Sequence, residues 1–244
     1  MATGAGRTEL DHAVIMVRDR LEQAAPHFER QGYTLSETEV HNLGSWNRLM
    51  VLEHSYVELL GWPPGKPPAR KEIADSPLGL EALVLRTEDA EATYERLRAA
   101  GYAVNPVQVL TRPAQVGGKT MEARFHTVRF AEQPIPGIRL YFCRHLTPEC
   151  VWQPALMQHA NGARAVVEVR ARAQDPAALA ARFAEVADST AHAAAGGAWL
   201  VPLGHARLRI EPAPAGQGTA LDSLTLVDRD GRQSVLDTDF DKQA

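Results

Sequence analysis

The sequence predicts an α+β fold in which two tandem βαβββ units close one cupped, mixed sheet, with a shorter related unit at the C-terminal side. Three observations predict it. First, from Leu10 to Val17 every residue except Asp11 and His12 is apolar, the pattern of a strand covered on both faces. Second, that strand returns at Leu80-Glu81-Ala82-Leu83-Val84-Leu85 and again from Ala163. Third, the spacing is kept: His12, Glu81 and Glu168 each lie seven residues before an acidic residue (Asp19, Glu88, Asp175), and Gly32 and Gly101 each lie thirteen after it. A repeat of this kind marks one supersecondary unit used more than once.

In the first unit, Leu21, Ala24, Ala25 and Phe28 give a helix face that stops at Gly32, although Pro26 inside it predicts a late start or a bend. Three strand-like segments follow, Tyr33 to Glu39, Asn47 to Glu53 and Ser55 to Leu60. Residues 61–79 carry Pro63, Pro64, Pro67, Pro68 and Pro77 and predict an extended, exposed linker. The second unit repeats the helix through Ala90, Tyr94, Leu97 and Arg98, with strands near Val104 to Leu110, Ala123 to Phe130 and Ile138 to Cys143. A connector over 146–162 separates this tandem domain, 1–145, from the third unit, 163–244. There Asp175-Pro176 predicts a helix start, Leu179, Phe183 and Val186 its buried stripe, and 199–202, 206–210 and 221–227 its strands. The acidic tail from Asp237 is expected to be loose.

Composition bounds the function. A formal net charge of −4 gives no basic footprint, so neither nucleic acid nor an anionic membrane is the expected partner; a small molecule is. No apolar run reaches a membrane span, and the polar stretch Met1 to Arg7 lacks the pattern of a signal peptide. Two cysteines, Cys143 and Cys150, without further partners fit a reducing cytoplasm. No GxGxxG, P-loop or GxSxG pattern is present, which argues against a nucleotide cofactor and serine hydrolase chemistry.

The chemistry concentrates on the strand ends. In a regular strand His12 shares a face with Leu10, Val14 and Met16, and Glu58 shares one with Tyr56 and Leu60. A buried imidazole needs a hydrogen-bond partner or a metal. If both faces line one cavity, His12 and Glu58 converge, either as ligands of an ion or as a hydrogen-bonded pair in a metal-free pocket. Glu168, without an acidic partner on the strand at 206–210, is expected to pair with Arg164, Arg170 or Arg172.

Tandem βαβββ units with a polar residue on each first strand resemble the vicinal oxygen chelate superfamily, whose namesake enzyme is glyoxalase I. The resemblance implies a divalent metal such as Mn²⁺, Fe²⁺, Ni²⁺ or Zn²⁺ held by His12, Glu58 and Glu81, with Glu58 or Glu81 as the base. The fourth family position falls on Tyr141, a departure from the usual glutamate or histidine. The run Trp46-Asn47-Arg48-Leu49 before Tyr56-Val57-Glu58-Leu59, and the connector His145-Leu146-Thr147-Pro148-Glu149 with Trp152, His159, Asn161 and Gly162, resemble a bacterial glyoxalase-like domain family over about Leu10 to Val186. That family transfers mainly its fold; the superfamily implies a metal-dependent lyase, isomerase or dioxygenase acting on a small oxygenated substrate, and Trp46, Asn47, Arg48, His126, Tyr141 and His159 are the expected substrate-binding residues. The alternative is a non-catalytic binder like the bleomycin-resistance proteins, whose apolar cleft would use Trp46, Trp62 and Tyr141. An interaction-only reading makes the third unit the surface of a homodimer.

Overall fold

The computed structural model describes residues 8–240, so the leader reading for Met1 to Arg7 falls outside the described residues. The first unit consists of β1 (Glu9–Arg18), α1 (Leu21–Arg30), β2 (Glu39–Val40), β3 (Trp46–Val51) and β4 (Tyr56–Gly61). A short helix, α2 (Lys71–Ala74), interrupts the linker. The second unit is β5 (Gly79–Arg86), α3 (Ala90–Ala99), β6 (Gln108–Val116), β7 (Lys119–Arg129) and β8 (Arg139–His145). These strands form one sheet of order β2-β3-β4-β1-β5-β8-β7-β6.

The repeat is visible in the pairing. β1 runs parallel to β4 and β5 parallel to β8, while β1 and β5 meet antiparallel at the junction. The sheet then curls until its two edges meet, where Asn42 N–H donates to Thr111 O at 3.1 Å and Arg112 pairs with Glu39. Closure of this kind covers edge strands that would otherwise present unpaired backbone groups. Pro113 sits on the edge strand β6, where a missing N–H costs least.

The second sheet holds β9 (Ala163–Ala173), β10 (His192–Ala193), β11 (Trp199–Leu203), β12 (Ala206–Pro212), β13 (Ala220–Asp228) and β14 (Gln233–Val235), with α4 (Pro176–Ala187) after β9. Its order is β10-β11-β12-β9-β13-β14. β9 and β12 are parallel, as β1 and β4 are, so the third βαβββ unit ends at β12. β13 therefore lies beyond it, antiparallel to β9, in the place that β5 takes beside β1. β13 and β14 form an antiparallel hairpin at that edge.

One core joins the two sheets. It takes Leu10, Ala13, Ile15 and Val17 from β1, Phe28 from α1, Leu97 from α3, and Phe183 and Val186 from α4. A separate apolar cluster, with Val14, Met16, Leu60, Val84 and Phe125, fills the inside of the curled sheet.

Several sequence expectations change. The segment 33–38 is not a strand, because its backbone bonds elsewhere: Thr34 N–H to His159 Nδ1 at 3.0 Å and Ser36 N–H to Leu49 O at 2.9 Å. β6 begins later and runs on to the Gly117-Gly118 turn. Pro26 sits inside a continuous α1. The tail is anchored: Leu236 is buried, and Asp237 O accepts from His27 Nε2 at 2.9 Å and Gln31 Nε2 at 3.0 Å. Leu10 faces the shared core although His12 faces the inside, because the β1–β5 register shifts between them.

Gly32 is held at φ +86°, and a Cβ there would stand 3.0 Å from Asn161, which ties the end of α1 to the connector. Asp175 caps α4 by accepting from Ala178 N–H at 3.0 Å, with Pro176 at its first position. Phe183 is fully buried in the shared core. Phe183→Ala is expected to cost ~3 kcal/mol or more in urea unfolding; a loss below ~0.5 kcal/mol would mean that the second sheet folds independently of that contact.

Candidate functional site

The inside of the curled sheet is a narrow cavity whose floor is the first half of β1. The shift in β1 buries two consecutive polar residues, Asp11 and His12. Asp11 Oδ1 lies 2.6 Å from His12 Nδ1 and 3.0 Å from His145 Nε2, and its Oδ2 accepts from Arg86 Nε at 3.1 Å. Burial alone would raise this carboxyl, but His145 and His12 hold it well below the ordinary range. An ionised carboxylate only accepts, so His12 carries its proton on Nδ1 and turns Nε2 to the cavity. There Nε2 accepts from the Tyr141 hydroxyl at 3.1 Å, and Glu58 Oε2 is 3.6 Å away. Burial and the Glu58 charge push the Tyr141 hydroxyl up, which keeps it a donor. Tyr56 stacks on the other face of His12 at 4.3 Å and fixes the ring.

Glu58 is held from the β3 side. Asn47 Nδ2 donates to Glu58 Oε1 at 2.7 Å, and His41 lies behind Asn47, with Nδ1 3.0 Å from Ser45 Oγ. Burial pulls the His41 pKa down to about 4; Glu58 opposes that and Arg70 and Arg129 reinforce it.

Glu81 meets a different fate. It sits at a second register shift, between Val14↔Ala82 and Ile15↔Leu80, and both its oxygens are taken by the buried Arg139 guanidinium, Nε lying at 3.0 and 3.2 Å. Burial opposes the Arg139 charge, and Glu81 more than offsets it.

The free space inside is about 30 Å³, room for a water or two. A second chamber of about 440 Å³ adjoins it and shares Arg70, Arg129, Arg139 and Tyr141 with it. That larger space falls in the range of small-molecule sites.

His12, Glu58, Asn47 and Tyr141 thus line one cavity, and Glu81 is buried against its Arg139. The other sequence candidates lie elsewhere. Trp46 packs on the shared core. Arg48 points outward to Ser36 O at 2.7 Å and to Glu29 at 2.9 Å. His126 lies between Phe125 and Thr127, which both line the cavity, and so takes the opposite face of β7. His159 is a clasp, with Nδ1 on Thr34 N–H and Nε2 on Val51 O at 2.8 Å. Trp62 is buried in the inner apolar cluster. Glu168 pairs with Arg170 and Arg207 at 2.8 Å each; Arg164 and Arg172 go to Glu53 and Asp222 instead. Sequence reasoning missed Asp11, His41, Arg70, Arg129 and Arg139, and had His145 only as part of the connector. Asp11 carried a signal, as the second polar residue in an apolar run.

Paired βαβββ units curled around a shared cavity define a protein of the vicinal oxygen chelate class. The chain belongs to the glyoxalase-like domain family, whose model matches residues 10–187. Among solved structures, a hypothetical protein from Staphylococcus aureus is 14% identical over 91% of both chains, with a TM-score of 0.71. A mutant 4-hydroxymandelate synthase from Streptomyces coelicolor is 13% identical over 91% of this chain and 71% of that one, TM-score 0.57. A fusion of a xylose isomerase-like TIM barrel with 4-hydroxyphenylpyruvate dioxygenase is 15% identical over 92% of this chain and 38% of that one, TM-score 0.58. At these identities the likeness is one of fold. A search of curated proteins finds no match. Among the described residues no helix is long and apolar enough to cross a membrane.

The metal that the superfamily implies does not fit the set His12, Glu58 and Glu81. Glu81 is neutralised by Arg139, the fourth position is a tyrosine already bonded to His12, and Arg70, Arg129 and Arg139 add cations to the same wall. Asp11, Cys143 and His145 do place potential donor atoms within 4.8 Å of one another. In that set Asp11 is already engaged by Arg86 and His12, and burial pushes the Cys143 thiol pKa up.

Two outcomes follow. Glu81→Gln leaves a buried guanidinium without its counter-charge and should cost about 3 kcal/mol or more in chemical denaturation; a neutral substitution would show that Arg139 is not bound by Glu81. His41, with a folded pKa of about 4 against an unfolded value of ~6.5, refuses a proton that the unfolded chain accepts. Stability is then lost as pH falls from about 6.5 towards about 4, by up to ~3 kcal/mol. Urea unfolding at neutral and acid pH should show a smaller difference in His41→Gln than in the parent chain.

Proposed function

We propose that this protein is an enzyme that moves a proton on a small oxygenated molecule, with His12 as the base. The observation that carries this is the Asp11–His12–Tyr141 line: a carboxylate behind Nδ1, and Nε2 turned to the cavity beside a hydroxyl donor. An imidazole so fixed is poised to take a proton from a carbon next to a carbonyl or from a hydroxyl. Asp11 stabilises the imidazolium that forms. The Tyr141 hydroxyl, released from Nε2 as that nitrogen is protonated, then donates to the oxygen that gains charge. Glu58 Oε2, 3.6 Å from Nε2, can take that proton from the imidazolium and deliver it to a second atom of the same molecule, which restores neutral His12 and ionised Glu58 and is the proton balance of an isomerase. Asn47 holds that carboxylate in place.

A second reading is a binder without turnover. It is favoured by the small inner space, since only the outer chamber admits a ligand without side-chain movement. Solvent-deuterium exchange into a panel of small 2-oxo and 2-hydroxy acids, followed by proton NMR, separates the two. Exchange is expected in the parent chain and should fall ~100-fold or more in His12→Gln. Ligand-induced thermal stabilisation with no exchange anywhere in the panel would favour the binder.

A further inference from the structure

Four arginines, Arg70, Arg112, Arg129 and Arg139, line the inner cavity, and they are not equivalent. Arg139 is neutralised by Glu81, and Arg112 by Glu39. Arg70 and Arg129 are left over. Arg70 comes from the proline-rich linker just before α2, and its Nε and Nη1 are buried without a hydrogen-bond partner. The nearest carboxylate, Glu72, stands 3.9 Å from Nε and is half exposed. Arg129, at the end of β7, bonds only Thr127 Oγ1, at 3.3 Å, and lies 4.7 Å over the Tyr141 ring; among the described residues no carboxylate comes within ion-pair distance of it.

Buried guanidinium donors without acceptors are costly, and like charges side by side add to the cost. Burial and then Arg129 lower the Arg70 pKa, and Arg139 acts in the same direction, so these cations feel one another. Such a pair becomes favourable when an anion bridges it, because planar guanidinium forks match carboxylate and phosphate oxygens. Its position decides what the anion belongs to. Both residues belong to the inner cavity and to the outer chamber, together with Tyr141, whose hydroxyl touches His12.

We infer that Arg70 and Arg129 form an oxyanion-binding site at the boundary of the two chambers, and that the substrate is a small molecule carrying a carboxylate or phosphate group that docks there. This deepens the proton-transfer reading and rests on it for the word substrate. The anionic end occupies the outer chamber and the reacting end passes Tyr141 to His12. Asn105, Gln108 and Gln133 on the chamber wall supply neutral hydrogen bonds for the body of the molecule.

The test measures binding directly, by NMR of the arginine Nε–Hε resonances, with malonate and inorganic phosphate as probes at constant ionic strength and sodium chloride as control. Saturable shifts at Arg70 and Arg129 are expected with at least one probe, and the tighter of the two assigns the anion as carboxylate or phosphate. Arg70→Gln and Arg129→Gln should each weaken binding ~10-fold or more, whereas His12→Gln should leave it within ~2-fold. Shifts that chloride reproduces, or affinity that survives both arginine substitutions, overturn the inference. Anion binding without deuterium exchange would overturn only the proton-transfer reading. Exchange that persists undiminished in both arginine variants would overturn only the anion site.

Discussion

A fully buried carboxylate organises this molecule. Asp11 has no access to water, and an uncompensated charge in that position would be untenable. Its partners come from distant parts of the chain: His12 beside it, Arg86 at the end of β5 and His145 at the end of β8. Satisfying Asp11 therefore draws the first strands of both units and the last strand of the second to one point. Arg86 also reaches His54 O at 2.8 Å and lies over Trp152 at 4.8 Å, while Trp152 Nε1 donates to Leu52 O. The connector after β8 is tied to the first unit through the same group of residues.

The three repeats show how one inherited position takes three roles. His12, Glu81 and Glu168 stand at corresponding places on first strands, and each is buried. Burial of a polar group demands a partner, and the partner decides the outcome. Glu81 finds a guanidinium and becomes an internal ion pair. Glu168 finds Arg170 and Arg207 on a sheet face where those arginines reach solvent, and it becomes part of a surface ion-pair ladder. Only His12 turns a basic nitrogen to a cavity, where its one hydrogen-bond partner is the Tyr141 hydroxyl, because Asp11 takes the other nitrogen. Chemical capacity here comes from what the neighbours leave unsatisfied, rather than from the repeat.

Much of the fold was legible because hydrophobic periodicity and glycine stops report local structure directly. The seven- and thirteen-residue spacings located β1, β5, α1 and α3, and Asp175-Pro176 located α4. The site was legible where a strand face was unambiguous: Glu58 between Tyr56 and Leu60, and Tyr141 on a buried strand. Adjacent residues of a strand cannot all point inward, so of Trp46, Asn47 and Arg48 only Asn47 reaches the cavity. The same alternation turns His126 away. What stayed hidden depends on register irregularities and on long-range pairing. The strand shift between Leu10 and His12 shows in the sequence only as two consecutive polar residues in an apolar run, and the end of the third unit at β12 appears only once β13 is seen pairing as β5 does.

The linker is the clearest case of cavity-lining residues placed where sequence patterns give least guidance. Its prolines exclude regular structure over 63–68 and leave that stretch largely exposed, as expected of a spacer. Yet the chain must travel from the end of β4 to the start of β5, strands that flank β1 on opposite sides. That path brings Arg70 and Ile73 to the wall of the inner cavity. Ile73, fully buried, anchors the crossing in the inner apolar cluster, and Arg18 holds it by donating from Nε and Nη2 to Ser76 O at 3.0 and 2.7 Å. Arg70 is thereby set at the cavity wall by a loop whose two ends are fixed by the sheet. Arg70 is thus carried by a segment pinned at Ile73 and Ser76, apart from the strand that carries Asp11 and His12. In the proposed reading, anion recognition draws on the linker through Arg70 and on β7 through Arg129, and proton transfer on β1 through Asp11 and His12.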